Sequence, residues 1–213
     1  MIGIIDYRMG NLRSVQKAFE HVGAPAVILD APAELANTDQ LVLPGVGAFA
    51  DGMAHLERGG WIEGIRGFID TGKPFLGICL GMQLLFDRSQ EGAHLRDDSV
   101  VGLRQLRGEV IRFDPRSVGG KRLKVPHMGW NTIHWDRDDP LFSGLDQGDA
   151  VYFVHSYYCV PESSVASKVV SATSEYGGPF CASVWHENIW ATQFHPEKSQ
   201  KVGLKILRNF TTL

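Results

Sequence analysis

Cysteine is scarce in this chain, with three residues among 213, at positions 79, 159 and 181. An odd number at wide spacing excludes a disulfide framework and makes a reducing, cytoplasmic setting the expectation. Long hydrophobic runs are also missing, so no segment is expected to span a bilayer. The start, Met1-Ile2-Gly3-Ile4-Ile5-Asp6, lacks the basic residues and the extended apolar stretch of a secretory signal. No block of like charge stands out and the formal net charge is only -3, which makes nucleic acid and membrane surfaces poor partners. H-E-x-x-H, paired C-x-x-C and G-x-x-x-x-G-K-[ST] are all absent, so no metal, nucleotide or other cofactor is expected. The eight histidines are scattered. His127, His134, His155 and His186 read as structural or interface residues rather than metal ligands.

What is present is an ordinary globular composition, 44% hydrophobic and 21% charged. The length fits one domain over residues 1–213 with a substantial core. The N-terminal half alternates strand-like and helix-like segments. Strands are predicted at 2–6, 26–29, 40–43 and 74–78. Helical spacing runs through Leu12, Val15, Ala18, Phe19 and Val22, with Gly23 as a stop. It returns through Trp61, Ile62, Ile65, Phe68 and Ile69, closed by Gly72. Residues 80–86 are predicted to open a further helix. Such alternation implies an α/β fold with an open, mostly parallel central sheet covered by helices. The C-terminal half reads as strands at 108–113, 123–126, 151–154, 169–173, 180–185 and 189–194. Few helices intervene, which predicts antiparallel pairing there. A last helix begins near Ser199, and 114–120 reads as the most mobile loop.

Sites in parallel sheets lie beyond the carboxyl ends of strands. Gly77-Ile78-Cys79-Leu80-Gly81 falls at such an end, between a strand and a helix. This is the logic of a nucleophile elbow with Cys in place of Ser. A sharp turn would expose the thiol, and a helix N-terminus is a favourable place for a thiolate. The N–H of Leu80 would point towards a developing oxyanion. The competing reading is a buried structural cysteine, the reading preferred for Cys159 and Cys181 inside their apolar runs. A nucleophilic Cys needs a base, and the base an orienting group. His195-Pro196-Glu197 follows the strand at 189–194. Taken alone it reads as a solvated histidine with a helix-capping glutamate; beside Cys79 it reads as base and orienter. Pro196 is expected to hold the segment extended, which puts His195 and Glu197 on one side. Pro44-Gly45-Val46-Gly47 offers backbone N–H groups and glycines that allow a peptide to turn, although a plain connecting loop has the same composition. Gln83 lies one helical turn after Cys79 and faces the same mouth, either binding an amino-acid substrate or capping a surface.

Gly77-Ile78-Cys79-Leu80-Gly81-Met82-Gln83 together with His195-Pro196-Glu197 resembles the class I, or triad, glutamine amidotransferases. Further blocks narrow the resemblance: Asp6-Tyr7 with Gly10-Asn11-Leu12 and Ser14, Pro44 to Phe49, Pro126-His127-Met128-Gly129-Trp130-Asn131, and Val154 to Tyr158. These are similar to the glutaminase subunit family of imidazole glycerol phosphate synthase, over essentially the whole chain. Arg8 departs from the pattern, where a glycine is expected. The resemblance implies a Cys79–His195–Glu197 triad and an oxyanion hole from Leu80 with Val46 or Gly47. It implies that Gln83, Ser156 and Tyr157 hold the amino-acid end of glutamine, and that Trp130, Tyr152 and Lys198 lie near a partner face. The implied partner is a (β/α)₈-barrel cyclase that takes up ammonia and makes imidazole glycerol phosphate and aminoimidazole carboxamide ribonucleotide in histidine biosynthesis. The alternatives are a glutaminase serving another synthase and a stand-alone cysteine hydrolase of γ-glutamyl compounds. A binding or regulatory module on the same fold would typically lack a triad member.

Overall fold

A computed structural model of the chain describes residues 1–92, 99–116 and 122–213. Residues 117–120 of the loop expected at 114–120 lie outside the described residues. Apart from one helix, at Phe49–Arg58, the first strands and helices fall where the periodicity puts them. They are β1 (Ile2–Ile5), α1 (Leu12–His21), β2 (Ala26–Leu29), β3 (Gln40–Gly45), α2 (Phe49–Arg58), α3 (Trp61–Asp70) and β4 (Phe75–Cys79). Strand β3 runs two residues beyond its predicted end. Its Pro44 costs no ladder bond, because β1 stops pairing with β3 at Val42 and the missing N–H has no partner there. Helix α2 was not read from the sequence. It buries only Phe49, Gly52 and Leu56, too thin a stripe to declare a period.

The predicted helix at 80–86 is corrected. Helix α4 (Leu80–Leu84) is a single turn, and the chain becomes strand β5 (Phe86–Ser89). Every residue from 80 to 86 is buried, so the apolar run carries no helical signature to set it apart from a buried strand. Beyond it come β6 (Val100–Val101), β7 (Leu106–Arg112), β8 (His127–Thr132), β9 (Ala150–His155), β10 (Tyr157–Pro161), α5 (Ala166–Val169), β11 (Val170–Glu175), β12 (Pro179–His186), β13 (Ile189–Thr192) and α6 (Gln200–Phe210). A strand at 123–126 is not formed. That stretch is the approach to β8, which begins one residue after Pro126.

The main sheet has seven strands in the order β11-β12-β13-β4-β3-β1-β2. From β13 to β2 all neighbours are parallel, and β11-β12-β13 is antiparallel. This agrees with the expected mostly parallel sheet and with antiparallel pairing in the C-terminal half. Period-two alternation divides the core into two layers. Ile5, Leu41, Leu43 and Phe75 join Leu56, Trp61 and Ile65 of α2 and α3 on one face. Ile4, Val42, Leu76 and Ile78 join Phe19 of α1 and Phe210 of α6 on the other. Two smaller sheets, β10-β7-β5-β6 and the hairpin β8-β9, complete the fold.

The consequence for function is one of registry. Gly45 pairs with Cys79, and Ile78 with Thr192, so β3, β4 and β13 end side by side at their carboxyl edges. The oxyanion-loop candidate, the thiol and the histidine segment therefore share one rim of the sheet.

Candidate active site

Cys79 sits at the junction of β4 and α4 with φ 56° and ψ -105°, a left-handed conformation for a residue with a side chain. Such a conformation costs about 1–3 kcal/mol and persists only where the surroundings impose it. They do so here through glycines. A Cβ at Gly81 would stand 1.8 Å from the Leu43 carbonyl oxygen, and one at Gly77 would stand 2.9 Å from the Gly81 carbonyl oxygen. The elbow is as tight as G-x-C-x-G implies, with helix and strand backbones in near contact. Gly45 is equally confined, since a Cβ there would fall 2.1 Å from the Tyr7 hydroxyl, which is buried directly over it. Gly47 has φ +110°, which favours glycine.

His195 follows β13, and its Nδ1 lies 2.8 Å from Glu197 Oε1 with both side chains 2% exposed. The expected extended segment is corrected, because Pro196–Lys198 forms a 3-10 turn. Pro196 occupies its first position, where a fixed φ and a missing N–H suit a helical start. The turn, not an extended strand, folds Glu197 back onto the imidazole. Helix α6 clamps it, because a Cβ at Gly203 would lie 1.9 Å from the Pro196 carbonyl oxygen. Ser199 Oγ donates to the His195 carbonyl and accepts from the Tyr152 N–H, while the His195 N–H donates to the Tyr152 carbonyl. Burial alone would lower the His195 pKa. The neighbouring Cys79 sulfur and the Glu197 carboxylate outweigh it and raise the value to about 10. Among the described residues Nε2 meets no partner within ordinary hydrogen-bond geometry, although Cys79 is near enough to raise the histidine's pKa through charge and a weak hydrogen bond. Cys159 and Cys181 are buried, and burial pushes both thiols up, that of Cys181 to about 12.

A cavity of about 430 Å³ opens over Cys79, lined by Val46, Gly47, Leu80, Gln83, Ser156, Tyr157, Lys198 and Glu91 among others. Every triad-neighbouring residue expected from the sequence to touch substrate therefore lines one space. Gln83 is buried; its Nε2 donates to the Tyr157 carbonyl at 3.0 Å and to Gln193 Oε1 at 3.0 Å. Trp130 and Tyr152 do not line the cavity. They face each other across β8 and β9, ring centroids 6.0 Å apart, with Trp130 49% exposed.

Two residues escaped sequence reading. Glu91 accepts the first N–H of α2, from Phe49, at 2.8 Å. Burial raises its pKa, offset in part by that bond. A lone acid in a loop carries no spacing signal that could have marked it. Gln193 is fully buried, and its Nε2 donates to Cys79 Sγ at 3.6 Å. Its place two residues before His195 is the only hint the sequence offers.

The arrangement is a thiol, an imidazole and a carboxylate in series, beside a pocket large enough for an amino acid and lined by Val46, Gly47 and Leu80. The chain is similar to known proteins over nearly its whole length. The family model for glutamine amidotransferase class-I matches residues 3–212. The imidazole glycerol phosphate synthase subunit HisH of Syntrophotalea carbinolica is 57% identical over 99% of this chain and 98% of its own length. That of Geobacter sulfurreducens is 52% identical over 98% and 97%. Among solved structures, PurLQS from Thermotoga maritima superposes with a TM-score of 0.73 at 17% identity, over 99% of this chain and 97% of that one. A glutamine amidotransferase crystal structure gives 0.71 at 18% identity, with the same coverage. These two likenesses concern the fold. The chain belongs to the class-I glutamine amidotransferases and, within them, to the HisH subunits of imidazole glycerol phosphate synthase.

Proposed function

We propose that the chain hydrolyses glutamine through Cys79, His195 and Glu197 and passes the ammonia to a (β/α)₈-barrel cyclase subunit. The observation that carries this is the buried Glu197–His195 contact beside a strained Cys79 that lines a cavity large enough for an amino acid. In the first step the Cys79 sulfur attacks the side-chain carbonyl carbon of glutamine. The oxyanion takes N–H bonds from Leu80 and from Val46 or Gly47. A histidine held protonated by its neighbours is suited to give its proton to the departing nitrogen, so that ammonia leaves and a γ-glutamyl thioester remains. The imidazole, now neutral, takes a proton from water, which attacks the thioester and releases glutamate and the thiolate. Glu197 holds the ring and its tautomer throughout.

The amino-acid end of glutamine lies against Gln83, Ser156 and Tyr157, with the Glu91 carboxylate as the counter-charge for its ammonium group. Trp130, Tyr152 and Lys198 stand near the partner face. Ammonia released into water near neutral pH would be protonated and lost as a nucleophile, which gives a dry passage to the second site its purpose. Hydrolysis ungated by the partner would waste glutamine. The glycines at 45 and 47 suit a peptide that turns its N–H into the site when the partner is loaded.

The test is glutamate release by the chain alone and with a histidine-pathway cyclase plus its nucleotide ligand. Strong activation in the loaded complex is expected. Equal turnover with and without the cyclase would instead assign a stand-alone hydrolase.

A further inference from the structure

A hydrogen-bonded series leaves the candidate pocket in the direction of β8, through two histidines that the proposed chemistry does not use. Tyr157's carbonyl, which Gln83 holds from one side, lies 2.8 Å from His155 Nδ1 on the other. His155 Nε2 lies 3.0 Å from His127 Nδ1, and His127 Nε2 lies 3.3 Å from Asn131 Nδ2. The two histidines are directly opposed on β8 and β9.

The direction of every bond follows from the two ends. A carbonyl only accepts, so His155 Nδ1 carries a hydrogen. Burial pushes the His155 pKa down to about 3 and that of His127 down to about 4, so each ring is neutral at neutral pH, and His155 Nε2, opposite its Nδ1–H, is bare. His127 Nδ1 must therefore donate to His155. At the far end the Asn131 amide is oriented independently. Its Oδ1 accepts the Thr132 N–H at 2.8 Å, and its Nδ2 donates to the Glu175 carbonyl at 2.8 Å. The atom facing His127 is thus a donor, as the other end requires. Tyr176 stacks on the His127 ring with centroids 3.9 Å apart, and Phe153 stacks at 4.9 Å, which fixes the plane of the imidazole.

We propose that Asn131, His127 and His155 are positioning residues for the glutamine pocket, a one-directional chain of donors that holds the Tyr157 carbonyl and, through it, Gln83. The inference rests on the reading of Gln83 and Tyr157 as glutamine-binding residues. From Gln83 the series continues to Gln193 and on to Cys79 Sγ, so the same bonds set the pocket wall and the neighbour of the thiol.

Two measurements test it. Nitrogen-15 spectra of the histidine-labelled chain should report both His127 and His155 as neutral, Nδ1–H tautomers. Nε2–H tautomers at both would overturn the chain. The second is glutamine kinetics in the loaded complex for two replacements that separate packing from donation. His127→Phe keeps an aromatic ring between Tyr176 and Phe153 but leaves His155 Nε2 without a donor. His127→Asn loses the ring but keeps an amide donor near the Nδ1 position. The KM for glutamine should rise about tenfold in His127→Phe and less than about threefold in His127→Asn, as expected for a buried acceptor left unpaired. The reverse order, or an unchanged KM in His127→Phe, would overturn the proposal and leave His127 a packing residue. Gln83→Ala separates the two possible failures. A raised KM there with none in His127→Phe sinks the positioning role alone. An unchanged KM in Gln83→Ala sinks the pocket reading and the positioning role with it.

Discussion

At the scale of single residues, His195 has the clearest pH signature. Its folded-state pKa of about 10 stands above the ordinary histidine value of 6.5. A group raised in this way adds stability that is complete below the unfolded pKa and is lost as pH rises through the folded one. The window is therefore about pH 6.5 to about pH 10. Removing the sulfur removes one of the causes, so Cys79→Ala should lose less stability across that window than the wild-type chain. Thermal unfolding at a series of pH values checks this, and parallel curves for the two proteins would contradict it. Glu197 contributes orientation as well as charge, through the 2.8 Å contact with Nδ1. Glu197→Gln should lower glutamine turnover about tenfold or more while leaving the fold intact. A turnover equal to wild type would remove it from the triad. Arg8, where a glycine was expected, has φ 68°, the left-handed region in which glycine is most at ease.

At the scale of elements, the elbow depends on one backbone approach. Helix α4 meets β3 so closely that no side chain fits at Gly81. Gly81→Ala must push α4 away from Leu43, and overpacking of this kind costs about 1–3 kcal/mol or more. A fall in denaturation midpoint together with lost glutamine hydrolysis is the expected outcome. A stable, fully active variant would mean that the elbow is looser than its 1.8 Å contact implies. The thiol motif, its flanking glycines and its strand–helix setting were legible, because an elbow needs those residue types in that order. The shortness of α4 was not legible, because a run buried on every side has no periodicity. The 3-10 turn at Pro196–Lys198 was misread for a related reason. Proline suits both extended chain and the first residue of a helical turn, and only the packing of α6 against that turn selects between them.

At the scale of the molecule, glutamine hydrolysis and the use of ammonia belong to different polypeptides in the proposed reaction. Cys79→Ala should therefore abolish glutamine-dependent synthesis by the assembled enzyme but spare synthesis from added ammonium, which enters downstream. Product formation from each nitrogen source measures this directly. Loss of both would make Cys79 a structural residue. The site itself is a product of sheet order: β13, late in the chain, lies beside β4, so His195 meets Cys79 across 116 positions of sequence.

Local chemistry was written in the residues and their order. Alternating strands and helices dictated a buried parallel sheet, a cysteine between glycines dictated a thiol at a sharp turn, and His-Pro-Glu set a carboxylate two residues from an imidazole. The expected exposure of the thiol is corrected, because Cys79 is only 5% exposed where it lines the cavity. Proximity between distant segments came from the packed fold alone. Glu91 and Gln193 enter the site from the ends of two strands, β5 and β13, far apart in sequence, and the Asn131–His127–His155 series exists because β8 pairs with β9 in one register. Hydrogen-bond direction and burial depend on which groups face each other in three dimensions, and linear spacing carries no record of that.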